Sequence, residues 1–304
     1  MNTLEGRVVV VTGAGRGVGR EEALLMAAEG AKVVVNDLGA SAVGDGNNAG
    51  PAEEVAEEIR RAGGEAISST DDVADADGAQ RIIDSAVDTF GGLDALVNNA
   101  GVLRDRMLVN MTEDDWDVIM RVHLRGHFLM TRAAARYWRQ ESKDGRPRRA
   151  SLVNTSSTSG LFSNLGQANY GAAKSGIASF TEICHKELGR YGVRCNSVSP
   201  SARTRLTMTV PGAEERYAER AAAAAETGFD DAHPGNIAPF VAYLATSDCP
   251  IEGRAFFLRA GEVHLIQPWT TVDSIKTDHR WTVEELQKEA PRLAAVPLDV
   301  RKPY

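Results

Sequence analysis

The chain of 304 residues predicts a doubly wound α/β fold, with a seven-stranded parallel sheet and helices on both faces. Two patterns carry that expectation. Valine-rich apolar runs alternate with longer segments of helical period, and a glycine-rich turn, Thr12-Gly13-Ala14-Gly15-Arg16-Gly17-Val18-Gly19, joins the first run to the first helical segment. In chain order, strands Val8–Val11 and Lys32–Asn36 flank a helix over Arg20–Glu29, and a helix over Ala52–Ala62 leads to strand Ala66–Ser69. Further strands are expected at Leu93–Asn98, Ser151–Thr155, Val193–Val198 and Ala255–Leu258, with helices between them. Thr112 followed by Asp115 marks a helix start that runs through Trp116, Ile119, Val122 and Leu124 toward Tyr137.

Two insertions interrupt the alternation. Gly39 to Gly50, rich in Gly, Asn and Ser, reads as a flexible loop after the second strand. Ala202 to Gly228 is polar, carries the run Ala221–Ala225 and reads as a helical lid. One domain over residues 1–266 is therefore expected, with a lid at about 202–228 and a C-terminal extension over 267–304. Thr282 and Glu285 place a capping box, hence a short helix, in that extension.

Composition narrows the partners. Hydrophobic residues at 43% and charged residues at 25% suit a soluble globular protein, and no apolar run approaches the length of a membrane span. A formal charge of −8 argues against nucleic acid as a partner, because such proteins usually display a basic surface to phosphates. Cys184, Cys195 and Cys249 are sparse and lack metal-ligand spacing, which suits a reducing compartment. The opening stretch MNTLEGRVVVV has no basic region followed by an apolar core, so the cytoplasm is the expected location.

The glycine turn has a specific use. Gly13, Gly17 and Gly19 permit a tight turn and close backbone approach to phosphate, with Arg16 and Val18 carried on the same turn. Strand before and helix after make this the Rossmann-type setting in which a dinucleotide pyrophosphate meets a helix amino terminus. Asp37, at the end of the second strand, suits the adenosine ribose hydroxyls and repels a 2′-phosphate, favouring NAD over NADP. Arg16 argues weakly the other way. Asp72 and Val73 either hold the adenine or, for Asp72, cap the helix that begins near Asp75.

Tyr170 and Lys174 are four residues apart in NYGAAKSG, one helical turn, so an ammonium stands beside a phenol and favours its ionised form. Ser157 follows the strand Ser151–Thr155 and so reaches the carboxyl end of the sheet, with Ser156 a rival for its role. Proton transfer beside a hydride carrier is the chemistry that turns a secondary alcohol into a ketone, and these residues read as a nicotinamide-dependent dehydrogenase site.

In this order, Thr12-Gly13-x-x-x-Gly17-x-Gly19, Asp37, Asn98-Asn99-Ala100-Gly101, Ser157 and Tyr170-x-x-x-Lys174 resemble the short-chain dehydrogenase/reductase family over roughly residues 5 to 262. The resemblance implies Tyr170 as acid/base, Ser157 orienting the substrate oxygen, Lys174 lowering the phenol pKa, and Asn99, Ala100 and Gly101 lining the cofactor. Stretches VVVNDLG, NNAGVLRDR, RVHLRG, GQANYGAAK and the segment from Pro200 to Val210 are similar to the (3R)-hydroxyacyl-CoA dehydrogenase units of type 2 peroxisomal multifunctional enzymes. An acyl-CoA is accordingly the first substrate expected, a hydroxysteroid the second, and a nucleotide-binding sensor without turnover the reading outside catalysis. The family also implies a homodimer or homotetramer, paired through helices over Met111–Trp138 and Gln167–Tyr191.

Two positions depart from the family pattern. His123 stands where most members have a fourth catalytic asparagine, so a relay water is held either by its main-chain carbonyl or by the imidazole. Pro200-Ser201 replaces Pro-Gly where the backbone meets the nicotinamide carboxamide. His123 and His127 have the spacing of paired metal ligands, but no third ligand accompanies them and no metal is expected. Arg104, Arg106, Arg203 and Arg205 flank segments expected at the same sheet edge, either to meet CoA phosphates or to pair with Asp105 and nearby acids.

Overall fold

A computed structural model describes residues 2–46, 48–209, 212–267 and 269–297, so Val210 and the end of the extension, 298–304, lie outside the described residues. Strands β1 (Val8–Thr12), β2 (Lys32–Asn36), β3 (Glu65–Ser69), β4 (Ala95–Asn98), β5 (Ala150–Thr155), β6 (Val193–Ser201), β7 (Ala255–Arg259) and β8 (Glu262–Ile266) form one sheet in the order 3-2-1-4-5-6-7-8. The first seven are parallel. Helices α1 (Gly17–Ala28), α2 (Gly50–Arg61), α3 (Ala76–Phe90), α4 (Glu113–Ile119), α5 (Gly126–Lys143), α6 (Thr158–Phe162) and α7 (Ala168–Leu188) are followed by α8 (Ala213–Thr227), α9 (Ala238–Ala245), α10 (Val283–Glu289) and α11 (Pro291–Ala294).

Successive residues of a strand point to opposite faces, which explains why the valine runs are continuous rather than alternating. Val9, Val11, Val33 and Val35 enter one core with Ala23 and Met26 of α1, Val55 of α2 and Val241 of α9. Val8, Val10 and Val34 enter the other, with Ile82 and Ile83 of α3, Met130 and Trp138 of α5 and Cys184 of α7. Both faces are thus covered. Strand order reverses between β1 and β4, and at such a switch point the loops leave the carboxyl ends in opposite directions and open a cleft.

The sheet has one strand more than expected. β8 runs antiparallel to β7 after a two-residue turn in which Ala260 holds φ 50°. Its Val263 and Leu265 are exposed, so β8 lacks the buried run that marked the other strands. The expected helix from Thr112 is also modified. Thr112 and Asp115 form the predicted capping box of α4, but Met120–Arg125 is π-helical before α5 resumes, and His123 lies in that widened segment. Helix α1 starts three residues before Arg20, because Gly17 to Gly19 already make its first turn. In the extension, the Thr282–Glu285 capping box forms as expected. Among the described residues no helix is long and apolar enough to cross a membrane.

Candidate active site

Gly13 and Gly17 hold φ 64° and 57°, a left-handed conformation that disfavours side chains, so the turn after β1 depends on glycine at both positions. Close packing adds a second demand. A Cβ on Gly13 would stand 2.7 Å from the Ala100 Cα, and one on Gly19 would stand 2.4 Å from the Asn99 Nδ2. Gly19 therefore acts by seating α1 on the turn and does not line the cleft, unlike Gly13, Arg16, Gly17 and Val18. Asn99 joins this turn to β4, its Nδ2 donating to the carbonyls of Thr12 and Gly13 at 3.1 Å each. Thr12 returns the link, its Oγ1 accepting from the Asn99 and Ala100 amides at 3.0 and 3.2 Å. Sequence reasoning named Thr12 only as part of the motif, whereas its hydroxyl is the joint between two cleft-lining loops.

Asp37 follows β2 and lines the cleft, its Oδ2 accepting from the Gly15 amide at 2.9 Å and its Oδ1 from the Gly39 amide at 2.7 Å. Each carboxylate oxygen keeps a further lone pair for an incoming hydroxyl. Asp72 and Val73 line the same cleft. The capping alternative for Asp72 is not what forms: Asp75 caps α3 by accepting from Gly78 at 2.7 Å. Asp72 instead accepts from the Ala74 amide and pairs with Arg121, a cleft residue that sequence reasoning did not identify.

Ser157, Tyr170 and Lys174 converge on the cleft from β5 and α7. Lys174 is buried, donates from Nζ to the Thr155 carbonyl at 2.5 Å, and lies 5.6 Å from the centre of the Tyr170 ring. Ser156, the rival of Ser157, is committed elsewhere, donating to the Lys174 carbonyl at 2.8 Å. Ser157 caps α6, and its Oγ accepts from the Ser159 amide at 3.2 Å. Burial pushes the Tyr170 phenol up to about 12, with the Ser157 hydroxyl pulling it down and Asp105 adding to the rise. Burial likewise pushes Lys174 down to about 7. Both shifts share one first cause, since a dry site penalises either charge.

His123 lines the cleft with its ring edge-on to Tyr170, centroids 5.1 Å apart at 87°. Its Nε2 lies 2.8 Å from the Val102 carbonyl and 3.1 Å from the Val102 amide, while Nδ1 is buried without a partner. Burial and the Lys174 charge hold its pKa well below the usual histidine range, so the ring is neutral. A Cβ on Gly101 would fall 2.5 Å from its Cε1, which ties Gly101 to the accommodation of this histidine. Pro200 also lines the cleft, within the carboxyl end of β6. His127 is buried too, and burial brings it down to about 3. Among the described residues no group of three or more potential metal ligands assembles.

The four arginines do not share one place. Arg104 is held by Asp45, Asp114 and the Val43 carbonyl, and Arg203 by Asp230 at 2.6 Å. Arg106 is exposed and donates to the Asp105 main-chain carbonyl, while the Asp105 side chain pairs with Gln167 rather than with an arginine. Arg205 reaches from the segment after β6 to the Ala40 carbonyl at 3.1 Å and feels the charges of Arg16 and Asp37. It therefore stands at the Asp37 end of the cleft, not beside Tyr170.

With this geometry in place, comparison with known proteins is specific. A family model described as short chain dehydrogenase matches residues 7–215. The chain belongs to the short-chain dehydrogenase family. This short-chain dehydrogenase is 44% identical over 269 residues to the hydroxyacyl-CoA dehydrogenase ChsB1 of Mycobacterium tuberculosis, covering 87% of this chain and 81% of that one. It is 41% identical to peroxisomal multifunctional enzyme type 2 of Drosophila melanogaster, covering 92% of this chain but only 44% of the fly protein. A crystal structure of a short chain dehydrogenase from Mycobacterium avium superposes with a TM-score of 0.83 at 42% identity, covering 96% of this chain and 95% of that one. The short-chain dehydrogenase described here is thus an oxidoreductase by family.

Proposed function

We propose that this enzyme interconverts a (3R)-3-hydroxyacyl-CoA and the corresponding 3-ketoacyl-CoA, using NAD. The observation that carries the reading is the convergence of Ser157, Tyr170 and Lys174 on the cleft that also holds the glycine turn and Asp37. The turn suits a dinucleotide because Gly13 and Gly17 hold the left-handed backbone that closes it tightly at the helix amino terminus, and Asp37 presents a carboxylate to the ribose. NAD, when bound, supplies the hydride acceptor.

In oxidation Ser157 donates to the substrate oxygen and Tyr170 removes the hydroxyl proton. Lys174, anchored on Thr155, stabilises the phenolate that a dry site otherwise opposes, and the His123 ring packs against the phenol to fix its direction. An acyl chain is favoured over a small alcohol by the exposed Met107, Leu108, Val109 and Leu165, on two segments joined by the Arg106–Gln167 bridge. The ChsB1 resemblance supports the same substrate class.

Steady-state rates on (3R)- and (3S)-hydroxyacyl-CoA and a free hydroxysteroid, read by NADH absorbance, test the proposal. Preference for the (3R) thioester is expected; preference for the steroid or equal use of the two isomers sinks this substrate while leaving the family standing. The reading extends to assembly and location. Exposed Trp116, Phe128 and Ile183 on α4, α5 and α7 favour a homodimer or homotetramer, which a monomeric mass by light scattering at micromolar concentration contradicts. Three buried free cysteines favour a reducing compartment such as the cytoplasm.

A further inference from the structure

Beside Ser157 lies a run of polar side chains that the chemistry above does not use. Asp105 Oδ2 accepts from Gln167 Nε2 at 2.8 Å, and Gln167 Oε1 accepts from Ser159 Oγ at 2.6 Å. Ser159 Oγ in turn accepts from Ser157 Oγ at a long 3.4 Å and from Asn164 Nδ2 at 2.9 Å. The other oxygen of Asp105, Oδ1, is buried and has no partner. An orphaned carboxylate oxygen inside a structure is a cost that calls for a reason.

Direction supplies the reason. An ionised carboxylate only accepts, so it fixes which end of the Gln167 amide faces it, and the oxygen of that amide is turned to Ser159. Ser159 then spends its proton on Gln167 and has none to give Ser157. Ser157 already accepts from the Ser159 amide, and its own proton has only the long contact to Ser159 Oγ at 3.4 Å, which a closer oxygen in the cleft outcompetes. A neutral group at 105 would leave only the longer Asn164 Nδ2 bond to Gln167 Oε1, at 3.3 Å, against a turn of that amide; once it turned, Ser159 would donate toward Ser157 and the Ser157 proton would lose its direction.

We propose that Asp105 is a positioning residue for the alcohol–ketone site, setting the donor sense of the chain Asp105–Gln167–Ser159–Ser157 so that Ser157 donates to the substrate oxygen. The proposal rests on the site reading of Ser157 and Tyr170 given above. Asp105 also has an electrostatic reach: burial raises its own pKa, and its charge opposes ionisation of Tyr170. The groups facing the pair are accounted for. Arg104 is engaged by Asp45 and Asp114 and lies 4.0 Å from Asp115, Arg106 donates to the Asp105 main chain, and Lys174 and neutral His123 flank the phenol.

A double-mutant cycle tests it, with Asp105→Asn, Ser159→Ala and the combination, assayed with NADH and the best-used ketone from a panel that includes acetoacetyl-CoA. Asp105→Asn lets either atom of the new amide face Gln167, and kcat should fall roughly three- to tenfold with a smaller change in KM, the rate equivalent of one ordinary hydrogen bond. In the Ser159→Ala background the same change should have little further effect, because the chain is already cut. The basic limb of the kcat–pH profile should also move to lower pH in Asp105→Asn, since the charge opposing the phenolate is gone. An unchanged kcat in Asp105→Asn, or an equal loss in both backgrounds, overturns the proposal. Thermal unfolding of each variant separates a loss of fold from a loss of turnover. Tyr170→Phe, run alongside, keeps the two readings apart: full turnover there removes the site reading itself, whereas its loss together with additive effects at 105 and 159 removes only the role of Asp105.

Discussion

Lys174 Nζ donates to the Thr155 carbonyl, the last residue of β5, so the ammonium is anchored to the same strand end that delivers Ser157. Ion and hydroxyl are thereby fixed on one rigid element, with Tyr170 one helical turn before Lys174 on α7. Tyr170→Phe is expected to fold, to bind NADH with little change, and to lose roughly 10²–10⁴ in turnover, the scale of general acid–base help. Lys174→Ala should lose turnover as well and leave the Thr155 carbonyl unpaired, with a lower melting temperature. Single-turnover rates and NADH fluorescence titration check both variants; near-normal turnover in Tyr170→Phe removes the mechanism.

On the proposed reading, cofactor choice rests on Asp37, opposed by two arginines. NAD should be used far better than NADP, and Asp37→Ala should narrow the gap, because Arg16 and Arg205 then face the ribose unopposed. Arg205 adds a separate expectation. On the proposed reading its place beside Ala40 and Asp37 puts its charge at the nucleotide, so Arg205→Ala should weaken NADH binding, more at low salt than at high, and leave KM for an acyl-CoA nearly unchanged. Fluorescence titration at two salt concentrations decides it, and a rise confined to the acyl-CoA KM returns Arg205 to the substrate.

His123 is buried, neutral and packed on Tyr170, and it occupies a π-helical segment whose width admits an imidazole. His123→Asn should keep substantial turnover, since a main-chain carbonyl can hold the relay water whatever the side chain. The shorter side chain leaves a gap against Tyr170 and Gly101, and a modest fall in melting temperature should accompany it. A loss of turnover as large as that of Tyr170→Phe would assign the relay to the imidazole.

Much of this architecture is legible in the sequence because its signals are local. The valines of β1 and β2 fill two cores through simple alternation, and Thr112 with Asp115 announces a helix start within four residues. The rest depends on distant segments meeting. Asp105 and Gln167 are 62 positions apart, and Arg205 and Ala40 are 165 apart, so neither pairing leaves a periodicity or spacing to read. β8 escaped for another reason: as an edge strand with Val263 and Leu265 exposed, it is defined by its pairing to β7 and not by a buried face. Ser156 and Ser157 are adjacent and equivalent as sequence, and only the commitment of Ser156 to the Lys174 carbonyl tells them apart.

Glu22, on the buried side of α1, has neither carboxylate oxygen hydrogen-bonded, and burial pushes it up to about 8 from 4.5. Such an acid stays protonated in the folded chain near neutrality while the unfolded chain releases its proton above about pH 4.5. The folded pKa is the higher one, so this contribution to stability is fully present below about 4.5 and is lost as pH rises through about 8. The loss is on the order of a few kcal/mol at its full extent, enough to matter against a marginal total. Glu22→Gln keeps the shape and removes the ionisation. Its melting temperature relative to the parent should therefore climb between pH 5 and pH 8.5, and a difference that stays flat across that range would mean that Glu22 ionises in the fold at no unusual pH.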